Sequence, residues 1–118
     1  MAELRKYIRV NKNIHVTYSI VNQILKSSAR SQDVSEGGIC IPSKLRFDKG
    51  IVLALDISLP GEGKPIKAQG EVVWLREVNN FRFPFMLGVK FVSIDSSDLD
   101  KIRDFIQRLP PQDIQWME

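Results

Sequence analysis

Two short patterns carry the residues best suited to chemistry. The first is Arg5-Lys6-Tyr7-Ile8-Arg9, two arginines four apart. The second is Asp33-Val34-Ser35-Glu36-Gly37-Gly38, an acid, a hydroxyl and a pair of glycines. A guanidinium is a planar fork that pairs with phosphate oxygens or with two acceptors on a base edge, and its plane stacks on a base. Lys6 supplies charge without the fork and is a secondary candidate. The Asp33 carboxylate can accept from two adjacent N–H donors, and Ser35 can donate or accept. Gly38, with Gly37 beside it as a secondary candidate, lets backbone come close to a partner. Each pattern alone has an ordinary alternative. Arg5 and Arg9 fit a solvated leader; Asp33 to Gly38 fits a side-chain-capped turn with glycine at positive φ.

Other chemistry finds little support. Among 118 residues there is one His and one Cys. Ser35 near Asp33 invites a hydrolase, but a Ser-His-Asp set would rest on His15 alone. His15 falls on the polar parity of its strand and is expected at the surface. Cys40 cannot form an internal disulfide, and no neighbour marks it as a nucleophile. Cys40 and His15 cannot complete a tetrahedral zinc site without carboxylates, and the spacing of Asp33, Asp56 and Glu71 does not set up a carboxylate pair. The expectation is a protein that is no enzyme and needs no cofactor.

Charge narrows the partner. The net +3 comes from 17 basic and 14 acidic residues, but it is uneven. Residues 1–32 carry Arg5, Lys6, Arg9, Lys12, Lys26 and Arg30 against Glu3 alone, a local +5. Residues 93–118 are net −3. A front-loaded charge suits a compact anion. The mixed charge of the rest makes a poor stripe for DNA. No apolar run is long enough to span a membrane and no apolar signal core opens the chain, so a cytoplasmic protein without membrane insertion is expected.

The elements that must position these residues read mostly as strands. Ile14, Val16, Tyr18 and Ile20 alternate with polar residues, and Ile39 and Ile41 give a short beat after the glycines. Ile51 to Leu59, Ile66 to Trp74 and Phe81 to Phe91 give three further period-2 faces. By that parity Phe81, Phe83, Phe85 and Phe91 are expected in the core. Pro84 lacks a ladder donor, so its strand lies at an edge or starts after it. Leu99, Ile102, Phe105, Ile106 and Leu109 recur at helical spacing, with Ser96 and Ser97 as candidate caps and Pro110-Pro111 as the stop. With 43% hydrophobic residues and no linker, one domain is expected. The expected division is a mobile binding leader over 1–12, a barrel with its helix over 13–110 and a loose tail over 111–118.

In this order the two patterns resemble the RxxxR and [D/N]xSxxG signatures of the PilZ domain family. Gly70-Glu71-Val72-Val73-Trp74 and Gly88-Val89-Lys90-Phe91 are similar to its later strands, and the resemblance runs from Arg5 to about Leu109. It implies a mostly β fold, a six-stranded antiparallel β-barrel with a C-terminal α-helix. It also implies binding of the bacterial second messenger cyclic di-GMP between the two signatures, by Arg5 and Arg9 and by Asp33, Ser35 and Gly38. The residue chemistry agrees. The ligand carries two phosphodiester charges and two guanines; arginine serves both, and Asp33 suits the N1–H and N2–H₂ donors that adenine lacks. Trp74 is a secondary candidate, able to stack on a guanine or to pack at the rim. Leu4 precedes Arg5 where a further base would favour two ligands, so one ligand per chain is expected. The whole reads as a stand-alone receptor that passes the signal to an effector protein in motility, polysaccharide export or secretion. The alternatives are a nucleotide-independent adaptor barrel and a single-strand nucleic-acid-binding barrel.

Overall fold

Alternation of apolar and polar residues builds one antiparallel sheet around a single core. The structure, a computed structural model, describes residues 9–10, 14–31, 33–108 and 114–115. Arg5, Lys6, Leu109, the Pro110-Pro111 stop and Trp116 lie outside the described residues. Six strands have four residues or more: β2 (His15–Ile20), β3 (Ser27–Arg30), β5 (Gly38–Ser43), β6 (Val52–Ser58), β7 (Ile66–Glu77) and β8 (Phe85–Ile94). Three have two residues: β1 (Arg9–Val10), β4 (Asp33–Val34) and β9 (Ile114–Gln115). Helix α1 spans Ser96–Arg108.

The strand order is β3-β2-β6-β7-β8-β5-β4-β1-β9, antiparallel throughout. The sheet curls so that β3 comes near β5, although no ladder joins them. This is the expected barrel-like β fold with its C-terminal helix, with three short strands added at one edge.

Register decides which side chains meet. Val34, Ile39, Val89 and Val72 stand in one row across β4, β5, β8 and β7, and all four are buried. On the other flank Val16, Tyr18, Leu53, Leu55, Ile57 and Ile66 are buried as their parity demands. Tyr18 packs edge-on against Phe47 at 6.1 Å, and its hydroxyl donates to the Pro42 carbonyl at 3.4 Å. That burial pushes the Tyr18 phenol above its usual range. From α1, Ile102 and Ile106 enter the core, four residues apart on one face. The first helical bond runs from Leu99 N–H to the Asp95 carbonyl, so the cap is Asp95, one residue before the expected serines.

Three expectations change. Phe81 is not a core residue: it lies in the loop before β8 and is fully exposed, because the strand starts only after Pro84. Phe83 and Phe91 are partly buried against the core, and Phe85 is partly buried. Trp74 leaves the inward parity of Ile66, Ala68, Gly70 and Val72, because a bulge between Val72 and Trp74 shifts the register and Leu75 takes the inward place opposite Leu87. Within the expected tail, Ile114 and Gln115 pair with Val10 and Arg9.

Candidate functional site

The Asp33-to-Gly38 pattern folds as a tight hairpin between β4 and β5. Asp33 pairs with Cys40 and Val34 with Ile39, and the Ser35 N–H donates to the Gly38 carbonyl at 2.9 Å. Glu36 and Gly37 are left to turn the chain. Ser35 is buried, and its Oγ accepts from the Gly37 N–H at 3.2 Å. The same hydroxyl lies 3.5 Å from the Gly38 carbonyl, as donor. A serine side chain thus holds its own turn, which is its ordinary structural use.

The glycine requirement is not the expected one. Positive φ among the described glycines occurs at Gly50 and Gly61 and not in this hairpin. Gly38 is demanded by proximity: a Cβ there would run into the carbonyl oxygen of Val89 on β8. The Phe91 N–H also donates to the Gly37 carbonyl at 2.9 Å, so β8 grips the hairpin on two successive residues.

Opposite the buried row runs an outward one. Asp33, Cys40, Gly88 and Trp74 are cross-strand partners in turn, so they share a face. Asp33 and Trp74 are half-buried at its two ends. A Cβ on Gly88 would strike the Trp74 indole, so the ring lies across that glycine. The Arg76 guanidinium sits 5.1 Å from the ring centroid. Trp74 therefore packs at the surface of the sheet, three strands from Asp33.

The two sequence patterns converge at β4. Val10 of β1 pairs with Val34, which brings the end of the first pattern onto the strand that opens the second. Arg9 is the residue before that pair in β1, and its own partner is Gln115 of β9. The structure thus gathers Arg9 (by its backbone), Asp33, Ser35, Gly37 and Gly38 at one sheet edge. Nothing further of Arg5 or Lys6 is described.

Sequence reasoning missed a contact at this edge. Arg103 of α1 donates from Nε to Glu36 Oε1 at 2.7 Å and from Nη1 to Asp100 Oδ1 at 3.2 Å. The Glu36 hydrogen bond and charge raise the Arg103 pKa further. Sixty-seven residues separate the partners, and no local pattern announces such a pair.

Elsewhere the polar groups are structural. His15 is exposed, and Cys40 is buried and in no disulfide. Asp56 lies between Lys67 at 3.0 Å and Lys26 at 3.5 Å, and its cross-strand partners are Lys67 and Thr17. Burial pushes its carboxyl up, but the two lysines outweigh that and hold it below its usual range. Among the described residues no group of three His, Cys, Asp or Glu side chains could hold a metal ion. No described helix is long and apolar enough to cross a membrane.

Sequence comparison matches the PilZ domain family model over residues 3–108. The chain belongs to the PilZ domain family. Solved structures share the PilZ fold. The Bacillus subtilis inhibitor of motility, MotI/DgrA, is 22% identical with a TM-score of 0.73, covering 90% of this chain and 51% of its own; this chain spans about half its length. The PilZ domain of Escherichia coli YcgR, solved with c-di-GMP, is 15% identical with a TM-score of 0.67, covering 91% of this chain and 92% of its own. A longer YcgR chain in complex with c-di-GMP is 13% identical with a TM-score of 0.65, covering 87% and 44%. No protein of curated function matches the sequence.

Proposed function

We propose that this PilZ domain binds cyclic di-GMP at the β1–β4–β5 edge and acts as a receptor rather than as an enzyme. The observation that carries the reading is the pairing of β1 with β4, which puts Arg9 and the Asp33–Gly38 hairpin on adjacent strands. Arg9 and Arg5 supply guanidiniums for phosphate oxygens and guanine edges. Asp33 accepts from the guanine N1–H and N2–H₂, and Ser35 meets a base or phosphate edge. Gly38 has a second use here: it keeps the hairpin tight against β8, so that Asp33 and Ser35 stay in place. The YcgR PilZ domain, solved with c-di-GMP on the same fold, supports the choice of ligand.

In this reading residues 1–12 are the binding leader of one domain over 13–110, with 111–118 as its tail, and one ligand binds per chain. Drawing Arg5 onto the hairpin changes the exposed surface beside β4, and an effector protein reads that change in the cytoplasm. Titration calorimetry with cyclic di-GMP tests the reading. Saturable heat with a ratio near one is expected, and Arg9→Ala or Asp33→Ala should each weaken binding at least about tenfold, the effect of one charge-assisted contact. No heat at tens of micromolar ligand, or unchanged binding in both variants, would overturn it.

A further inference from the structure

The Arg103 contact deepens the proposed site, and rests on that reading of it. Arg103 comes from the helix, yet its guanidinium is held against the turn of the hairpin by Glu36, which stands between Ser35 and Gly37. Its side chain is 45% exposed, so solvent and solutes reach it. Two carboxylates fix its orientation: Nε is committed to Glu36 and Nη1 to Asp100. No bond to Nη2 occurs among the described residues, which leaves two N–H groups of a pre-oriented fork for an acceptor. Holding a long side chain in one geometry before binding lowers the entropy lost on binding.

We propose that Arg103 is a third cationic binding residue of the same site and donates from Nη2 to a phosphate oxygen of the cyclic dinucleotide. A phosphate bound by Arg103 has two acids beside it, Glu36 and Asp100, and Asp33 in the same hairpin. Arg103 offsets part of that negative charge. Glu36 and Asp100 are positioning residues: they aim the fork and do not touch ligand. Neither sequence pattern contains this arginine. The fold supplies it by packing α1 beside the hairpin, so the site depends on the helix as well as on the sheet edge.

Calorimetry with cyclic di-GMP on the full chain tests this, using Arg103→Gln, Arg103→Lys and the last-turn control Arg108→Gln, in a series of salt concentrations. Arg103→Gln should weaken binding about tenfold and flatten its salt dependence, since one cation no longer meets the phosphates. Arg103→Lys should keep most of the salt dependence but lose affinity, because an ammonium lacks the fork. Arg108→Gln should bind like the wild type. Thermal melting of the unliganded variants checks that helix packing survives. The inference is overturned if Arg103→Gln binds like the wild type. It is equally overturned if Arg103→Gln and Glu36→Gln weaken binding alike with the salt dependence unchanged, for then the ion pair only props the hairpin. A wild-type chain that binds no cyclic di-GMP fails the underlying reading, and this one with it.

Discussion

Strand β6 and the β4–β5 hairpin belong to one sheet but hold their polar groups in different ways. In β6 the rule is alternation. Leu53, Leu55 and Ile57 point inward and are buried, and the outward acid Asp56 is closed off by Lys67 from the neighbouring strand and by Lys26. All its partners are cross-strand neighbours or lie close to them, so the group is complete within the sheet. At the hairpin the strand is two residues long, the turn is tied by a serine to its own backbone, and the acid Glu36 reaches a different element, α1. In the first arrangement each lysine holds the same acid, although both stay exposed, Lys67 at 77% and Lys26 at 57%. The second gathers an acid, a hydroxyl and a half-exposed arginine around one turn. Both contribute to the buried core, and recognition is proposed for the latter.

Breaking the β6 side should have the largest effect. Leu55→Ala removes a fully buried side chain that faces the middle of the core and should cost about 2–5 kcal/mol, read as a lowered denaturant midpoint. A loss under ~1 kcal/mol would show that the core is not centred there. Gly38→Ala tests the hairpin's grip on β8. Its new methyl meets the Val89 backbone carbonyl, which cannot rotate away, so about 1–3 kcal/mol is expected by the same measurement. An unchanged midpoint would mean that the glycine serves the ligand alone.

Much of the β6 side is legible in the sequence, and less of the hairpin edge is. Alternation identifies β6, which buries every second residue, and β2 and β7, which do so over Val16–Tyr18 and Ile66–Val72; the 3.6 period identifies α1 because Ile102 and Ile106 share a face. Strand β3 escapes notice: it ends the sheet order, and of Ser27–Arg30 only Ala29 is buried, so it has no periodic face to show. Trp74 is misplaced by parity since a bulge is invisible in the hydrophobic pattern. Phe81 misleads for the opposite reason, because it keeps the parity of a strand that Pro84 does not let begin. At the proposed site, the spacing of Asp33, Ser35 and Gly38 singles them out as candidates, whereas Arg103 depends on a tertiary contact.

A smaller effect sharpens the contrast between the two acids. Asp56 is held below its ordinary value of 3.8, so its contribution is present above that pH and is lost as the pH falls through the lower folded value. The side chain is 23% exposed and its partners are surface lysines, so Asp56→Asn should cost at most about 1 kcal/mol at pH 7. The gap to wild type should close in melts as the pH falls below 3.8 and through the depressed folded value. A gap that persists at low pH would make Asp56 a packing residue instead of a charge partner.

The central claim is that the hairpin edge recognises a guanine dinucleotide. Equilibrium titration with cyclic di-GMP and, in parallel, cyclic di-AMP tests it most directly, since the two carry the same phosphates and differ at the base edge that Asp33 is proposed to read. The account predicts saturable binding of cyclic di-GMP and binding of cyclic di-AMP weaker by roughly tenfold or more, the usual discrimination of one paired base contact. Equal affinity for the two, or no binding of either, would contradict it.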